Sequence, residues 1–209
     1  MKIAVVCANG RAGGLITEEA LARGMDVTAV VRGENRTAAK KALVKDLFDL
    51  TKEDLQGFDA VVDAFGAWSA EDVDGICKAA GRLCDLLSGS ETRLLVVGGA
   101  GSLYVNAEHT ACVADGPDFP DAFKPVAAAH AAALDALRKR KDVRWTYISP
   151  ACDFQAEGER TGGYLLGGEE LMLNGRGESA ISYADYAIAV ADELAGGKHL
   201  RERISVVRK

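Results

Sequence analysis

The chain has 209 residues, 48% of them hydrophobic and 27% charged, with a formal charge of −6. That supplies a sizeable core for one domain and argues against disorder. The acidic balance leaves no electrostatic footprint for nucleic acid or an acidic membrane surface. No segment approaches the roughly 18 uninterrupted apolar residues of a membrane span, so neither partner is expected.

The most informative stretch comes first. Lys2 to Ala8 reads as a strand that breaks into a small-residue turn, and Gly14 to Arg23 reads as the helix that follows. Cys7, Gly10 and Gly13 hold the spacing of a Gly-x-x-Gly-x-x-Gly turn, with cysteine where the first glycine would stand. This is the strand–turn–helix opening of a dinucleotide-binding unit, in which backbone N–H groups at a helix start face a pyrophosphate. A side chain at Cys7 requires the strand to leave at an ordinary φ, so a widened turn is expected there. Asn9, Gly10, Arg11, Ala12 and Gly13 are the candidate pyrophosphate contacts.

Asp26 to Arg32 is the second strand and Lys41 to Val44 the third, with Lys45 to Leu50 as the connection after it. Thr51 to Leu55 opens a short helix with Thr51 as N-cap and Asp54 three residues on. Phe58 to Phe65 is the fourth strand, Glu71 to Leu87 a long helix, and Arg93 to Val97 the fifth strand. Asp121 to Arg140 is an alanine-dense helix, and Val143 to Ile148 the sixth strand. Residues 153–180 hold only short apolar pieces. Ser182 to Ala195 is a helix with Ser182 and Asp185 spaced as a capping box, and Ile204 to Val207 is the last strand. Apolar strands without clean alternation, separated by helices, imply a parallel sheet covered on both faces and a doubly wound α/β fold. Residues 1–150 read as the cofactor half of a single domain, and 151–209 as a small substrate-side lobe.

Strand ends then assign the remaining contacts, because ligands of open α/β sheets sit at the carboxyl ends of strands. The second strand ends at Arg32, where an acidic residue would accept from a ribose 2′-hydroxyl. A guanidinium there, with Arg36 close behind and Arg11 in the turn within reach of the same region, suits a 2′-phosphate and favours NADP(H) over NAD(H). Asp46 and Leu47 are placed beside the adenine, and Ala64, Phe65 and Gly66 beside the adenosine ribose. Gly98, Gly99 and Pro150 fall at the nicotinamide side. Asp63 points away from this groove if it shares a face with Asp59 and Val61. Ser102 and His109 are the candidates for a catalytic role. His130, among alanines on a face with Leu134 and Leu137, reads as a packed or surface histidine. Gly158 to Tyr164 reads as a turn, with Phe154 and Tyr164 as stacking aromatics. The five cysteines, Cys7, Cys77, Cys84, Cys112 and Cys152, are odd in number and form no Cys-x-x-Cys pair. Reduced thiols in a cytoplasmic protein and no metal site are expected. One lysine and about five apolar residues before Asn9 do not make a secretory signal.

The opening motif, the VVR of the second strand, the VVGGAGSL segment and the WTYISP…GERTGGY…ISYADYAIAVADEL tail resemble the atypical short-chain dehydrogenase group. More narrowly they resemble small bacterial NAD(P)-binding proteins described as NADH–flavin reductases, relatives of NmrA-like regulators and of biliverdin IXβ/flavin reductases. The resemblance spans essentially the whole chain and implies a Rossmann fold, a dinucleotide in the groove, and flavin or quinone reduction. One departure matters. The alcohol-oxidising members carry Tyr-x-x-x-Lys on the helix after the fifth strand, whereas the corresponding stretch here is Phe123-Lys124-Pro125-Val126-Ala127. Tyr104, followed by Glu108, is not that pair either. Without the proton-transfer tyrosine, carbonyl–alcohol chemistry and an epimerase role lose ground. Hydride transfer to a flavin or quinone demands less, because solvent can manage the proton. The expectation is an NADPH-dependent reductase of a flat small-molecule acceptor, with flavin as substrate. The contrasting expectation is a non-catalytic NADP(H)-binding redox sensor. The sequence leaves a homodimer open.

Overall fold

The strand Lys2–Val6 (β1) shows why the sheet is covered on both sides. Ile3 and Val5 enter one hydrophobic cluster and Ala4 and Val6 the other, all four without exposed surface. A strand buried on both faces has no polar positions to alternate. The computed structural model describes residues 1–67 and 71–209. β1 pairs in parallel with β2 (Asp26–Val31) and β4 (Ala60–Asp63). The sheet extends outward through β3 (Lys41–Val44) on one side and β5 (Arg93–Val97) and β6 (Arg144–Ser149) on the other. The order β3-β2-β1-β4-β5-β6 reverses between β1 and β4, which opens the crevice of a Rossmann-like sheet at that point.

The helices α1 (Arg11–Ala22) and α4 (Tyr183–Gly196) pack on one face, and α2 (Asp74–Leu87) and α3 (Lys124–Lys139) on the other. Beyond β6 the chain makes three short strands that the sequence pattern does not signal. β7 (Asp153–Gln155) and β9 (Ala180–Ser182) form a two-stranded parallel sheet. β8 (Tyr164–Gly167) pairs antiparallel with the final strand β10 (Glu202–Arg208), and β10 itself continues the main sheet beside β6. Strands of three or four residues are too short for a periodic signal, and pairing partners decide them.

Caps hold where the sequence placed them. The Ser182 hydroxyl accepts from the Asp185 N–H at 3.0 Å and starts α4. Thr51 and Asp54 exchange side-chain and backbone bonds at 2.7 and 3.4 Å around a 3₁₀ turn at Glu53–Leu55. The Asp185 carboxylate does something the capping box does not require. It accepts from Thr161 N–H, Thr161 O–H and Gly162 N–H, with Gly162 at φ +88°, and so fixes the 158–164 segment as a turn. Helix α3 begins later than the pattern suggests, with a 3₁₀ turn at Asp121–Phe123 leading into it. No helix among the described residues is long and apolar enough to cross a membrane.

Candidate functional site

At the carboxyl end of β1 the chain turns sharply. Cys7 adopts φ 59°, in the left-handed region, contrary to the ordinary φ and wider turn expected from its side chain. The tight turn is retained because the Cys7 carbonyl must accept from Gly10 N–H at 2.9 Å. A left-handed non-glycine residue costs about 1–2 kcal/mol, which the packing around the turn offsets. Gly13 is needed for closeness, since a Cβ there would stand 2.6 Å from the Cys7 carbonyl oxygen. Gly13 therefore packs α1 onto β1 and does not line the open cleft. α1 starts at Gly10 with no side-chain cap and no acidic residue in its first turn. Its unsatisfied N–H groups and positive dipole end are left for an anion.

That end faces a cleft of about 1580 Å³. Of the sequence candidates, Asn9, Gly10, Arg11, Ala12, Arg32, Asp46, Leu47, Ala64, Phe65, Gly66 and Gly98 line it. The loop after β2 is shaped by side-chain bonds to backbone. Asn9 Nδ2 donates to the Glu34 carbonyl at 2.8 Å, and Arg36 N–H donates to Asn9 Oδ1 at 2.9 Å. Asn35 and Thr37 close the loop further along. This fixes the backbone carrying Arg32 and Arg36, both exposed. Arg11, Arg32 and Arg36 ion-pair with no carboxylate among the described residues. Arg11 lies closer to α4 than its sequence position suggests, for its charge opposes the burial that raises the Tyr183 pKa.

Between these arginines and the centre of the cleft lie two aromatic rings. Asp46 accepts from Phe48 N–H at 2.9 Å and starts a 3₁₀ turn at Leu47–Asp49. Leu47 is thereby drawn into the core, and Phe48, which the sequence reading overlooked, is left at the lip. Phe48 meets Phe65 edge to face with centroids 6.4 Å apart. The turn carrying Ala64, Phe65 and Gly66 is set by Asp63, whose carboxylate accepts from Phe65 N–H at 3.0 Å. Asp63 is 3% exposed. Burial raises its pKa to about 7, partly opposed by that hydrogen bond.

The deep end is made of residues that sequence spacing undervalued. His130 on α3, Phe154 on β7 and Tyr183 on α4 all line it beside Val97 and Gly98. The Tyr147 hydroxyl accepts from Gly99 N–H at 3.0 Å and lies 3.3 Å from both Nδ1 and the carbonyl oxygen of His130. Loss of water from the ring lowers the His130 pKa to about 4, so the imidazole is neutral at pH 7. The glycines of this segment serve crowding. A Cβ at Gly98 would lie 2.3 Å from the Tyr147 ring, at Gly99 2.9 Å from His130, and at Gly101 2.7 Å from Ala127.

Gly99, Pro150, Ser102 and His109 do not line the cleft. Pro150 is buried where β6 ends. The Ser102 hydroxyl accepts from the buried Arg203 guanidinium at 3.0 Å. His109 stacks on Tyr104 at 4.2 Å and bonds to Glu170 at 2.7 Å. Tyr164 is likewise elsewhere, donating to Asp192 at 2.9 Å. The signal that singled out Ser102 and His109, residue type in a loop, carries no direction. The signal that would have found His130 is the glycine run opposite it.

Residues present at the cleft fit a dinucleotide: an uncapped helix start, a glycine that a close strand–helix approach explains, and guanidinium groups that ion-pair with no carboxylate among the described residues. Comparison with known proteins points the same way. The NAD(P)H-binding family model matches residues 7–195. YwnB of Bacillus subtilis, an uncharacterized protein, is 43% identical over 209 residues, covering 99% of this chain and 98% of that one. A Streptococcus pneumoniae protein assigned by inference as an NADH-flavin reductase is 52% identical over the full length of both chains, with a TM-score of 0.98. A Bacteroides thetaiotaomicron protein assigned by inference as an epimerase is 34% identical, covering 99% of this chain and 96% of that one, with a TM-score of 0.86. Family match, fold and cleft agree, and this chain belongs to the NAD(P)H-binding family.

Proposed function

We propose that this protein is an NADPH-dependent oxidoreductase that reduces a flat acceptor, a free flavin or a quinone. Residues 1–150 form the cofactor half, and residues 151–209 supply the acceptor side through Phe154 and Tyr183. The observation that carries the cofactor choice is the set of exposed arginines after β2. Arg32 and Arg36 line the cleft at the end of β2 on either side of Glu34, and their two guanidinium forks suit a ribose phosphate better than a lone hydroxyl. Arg11 and the α1 start hold the pyrophosphate, while Phe48 and Phe65 border the adenosine. Asn9 shapes the loop, and Gly98 lies at the nicotinamide side. Bound there, a reduced nicotinamide supplies hydride, with solvent supplying the acceptor's proton. The name of the Streptococcus pneumoniae relative supports the flavin reading.

A neutral His130 bears on the chemistry. With a pKa near 4 it holds a hydrogen bond and is a poor proton donor at pH 7. This suits acceptors that need no general acid. The same lack favours the contrasting reading, a non-catalytic NADP(H)-binding sensor. Following NADPH oxidation at 340 nm with FMN, riboflavin or a quinone decides between them. Turnover with at least one acceptor is expected. Tight NADP(H) binding without turnover on any of them overturns the reductase reading.

A further inference from the structure

The deep end of the cleft differs in charge from the rest. Phe154 and Tyr183 form a tilted aromatic pair with centroids 3.9 Å apart, and Tyr186 braces Phe154 from behind at 4.9 Å. Tyr186 is itself locked, fully buried with its hydroxyl donating to the Ile148 carbonyl at 2.7 Å. The wall is therefore rigid. His130 reaches the same space from α3, on the opposite face of the sheet from α4. Its Nδ1 is engaged by Tyr147, and its Nε2 has no hydrogen-bond partner among the described residues.

The rim formed by the start of α2, between Phe65 and α3, is acidic. Glu71, Asp72 and Asp74 line the cleft there with a single lysine, Lys78, whose ammonium is 3.8 Å from Asp74. The start of α2 is held beside α3 because Ile76 and Ala80 pack with Ala129 and Ala133. The other cations of the cleft among the described residues are engaged or placed along the dinucleotide path. Lys45 is paired with Asp54 at 2.6 Å, Arg32 and Arg36 follow β2, and Arg11, though near enough for its charge to act on Tyr183, stands at the helix start whose anion is the pyrophosphate.

We propose that this end is the acceptor subsite, built for an uncharged planar ring with a hydrogen-bonding edge, and that it discriminates against the phosphorylated form of the same ring. The inference rests on the reading of the cleft as a dinucleotide site with its nicotinamide side at Gly98. The ring lies on the Phe154–Tyr183 wall, where offset aromatic contact adds to area burial. His130 Nε2, which has no partner among the described residues, meets its polar edge. A phosphate tail would be left near Glu71 and Asp74, while the two nearest cations among the described residues, Lys78 and Arg11, are held by Asp74 and by the pyrophosphate.

The test is binding to the protein saturated with NADP⁺, read by quenching of flavin fluorescence. Riboflavin and FMN share the ring and differ by the phosphate. Menadione, scored by displacement of riboflavin, tells a quinone preference from a flavin one. Riboflavin is expected to bind about tenfold more tightly than FMN at low salt, a gap that narrows as salt screens the rim. Glu71→Gln with Asp74→Asn should narrow it as well. Phe154→Leu, which keeps apolar volume and loses the aromatic face, should weaken riboflavin and FMN alike. Equal or tighter FMN binding overturns the proposal, as does failure of every ring to bind or indifference to Phe154→Leu. If riboflavin binds in this pattern and NADPH is never oxidised, the reductase reading falls and the subsite stands. Turnover that prefers FMN does the reverse.

Discussion

The two ends of the cleft are held by opposite means. At the β2 end the charged groups are exposed, and order comes from side chains bonded to backbone. Asn9 spans from the turn after β1 to Glu34 and Arg36, and the guanidinium groups of Arg32 and Arg36 are left in solvent. At the β5–β6 end the order comes from packing. Tyr147, His130 and Ala127 press against Gly98, Gly99 and Gly101 so closely that no Cβ fits. The first arrangement keeps charge available for a charged ligand, since cations without counter-ions lose nothing to an internal pair. The second keeps a ring-sized space neutral. On the proposed function, one cleft thus separates recognition of the nucleotide from handling of the acceptor.

Reversing charge at the solvated end should produce the largest effect. Arg32→Asp is expected to weaken NADPH about 100-fold, with NADH changed only several-fold, because the substituted carboxylate repels a 2′-phosphate and accepts from a 2′-hydroxyl. Titration of each nucleotide by protein fluorescence measures both. Equal losses would remove Arg32 from the phosphate site.

Asp63 lies beneath the turn that joins the two ends, and its effect is on stability. Its folded-state pKa, near 7, exceeds the unfolded value of 3.8. The native state therefore binds the extra proton between those values, and stability falls as pH rises from 3.8 through 7. Asp63→Asn keeps the acceptor for Phe65 N–H and never ionises. The variant should gain on the wild type by about 4 kcal/mol between pH 4 and pH 8 in urea unfolding. A difference independent of pH would show that Asp63 does not titrate in this range.

The smallest effect tests whether loop order at the first end is needed. Asn9→Ala removes both bonds to the 34–36 loop. NADPH affinity should fall about tenfold, as expected for two lost hydrogen bonds that position a charge contact, with NADH within about twofold. A parallel loss of both nucleotides would mean that Asn9 acts on the pyrophosphate turn instead.

Much of this architecture is legible in the residues themselves. Lys41–Val44 and Arg93–Val97 are strands with the limits their apolar runs suggest. Ser182 caps the helix it precedes. Gly10 and Gly13 mark the turn because close backbone approach leaves no alternative residue. Arg32 lines the cleft because a strand's carboxyl end has a fixed place in an open α/β sheet. These signals are local or follow from topology.

What the sequence could not supply was direction and neighbours. Cys7 shows this at the opening turn, where its side chain suggested an ordinary φ and hydrogen bonding to Gly10 imposed a left-handed one. Ser102 and His109 have suitable chemistry, yet Arg203, Tyr104 and Glu170 claim their polar atoms. His130 looked like one more residue on an alanine-rich helix. It reaches the cleft only because three glycines on another segment give it room. The sequence by itself determined a doubly wound sheet, a nucleotide turn and a cationic second strand end, since apolar runs, glycine spacing and strand order act over short range. Tertiary structure alone decided which side chains share the cleft, because that depends on contacts between segments that pattern and spacing do not encode.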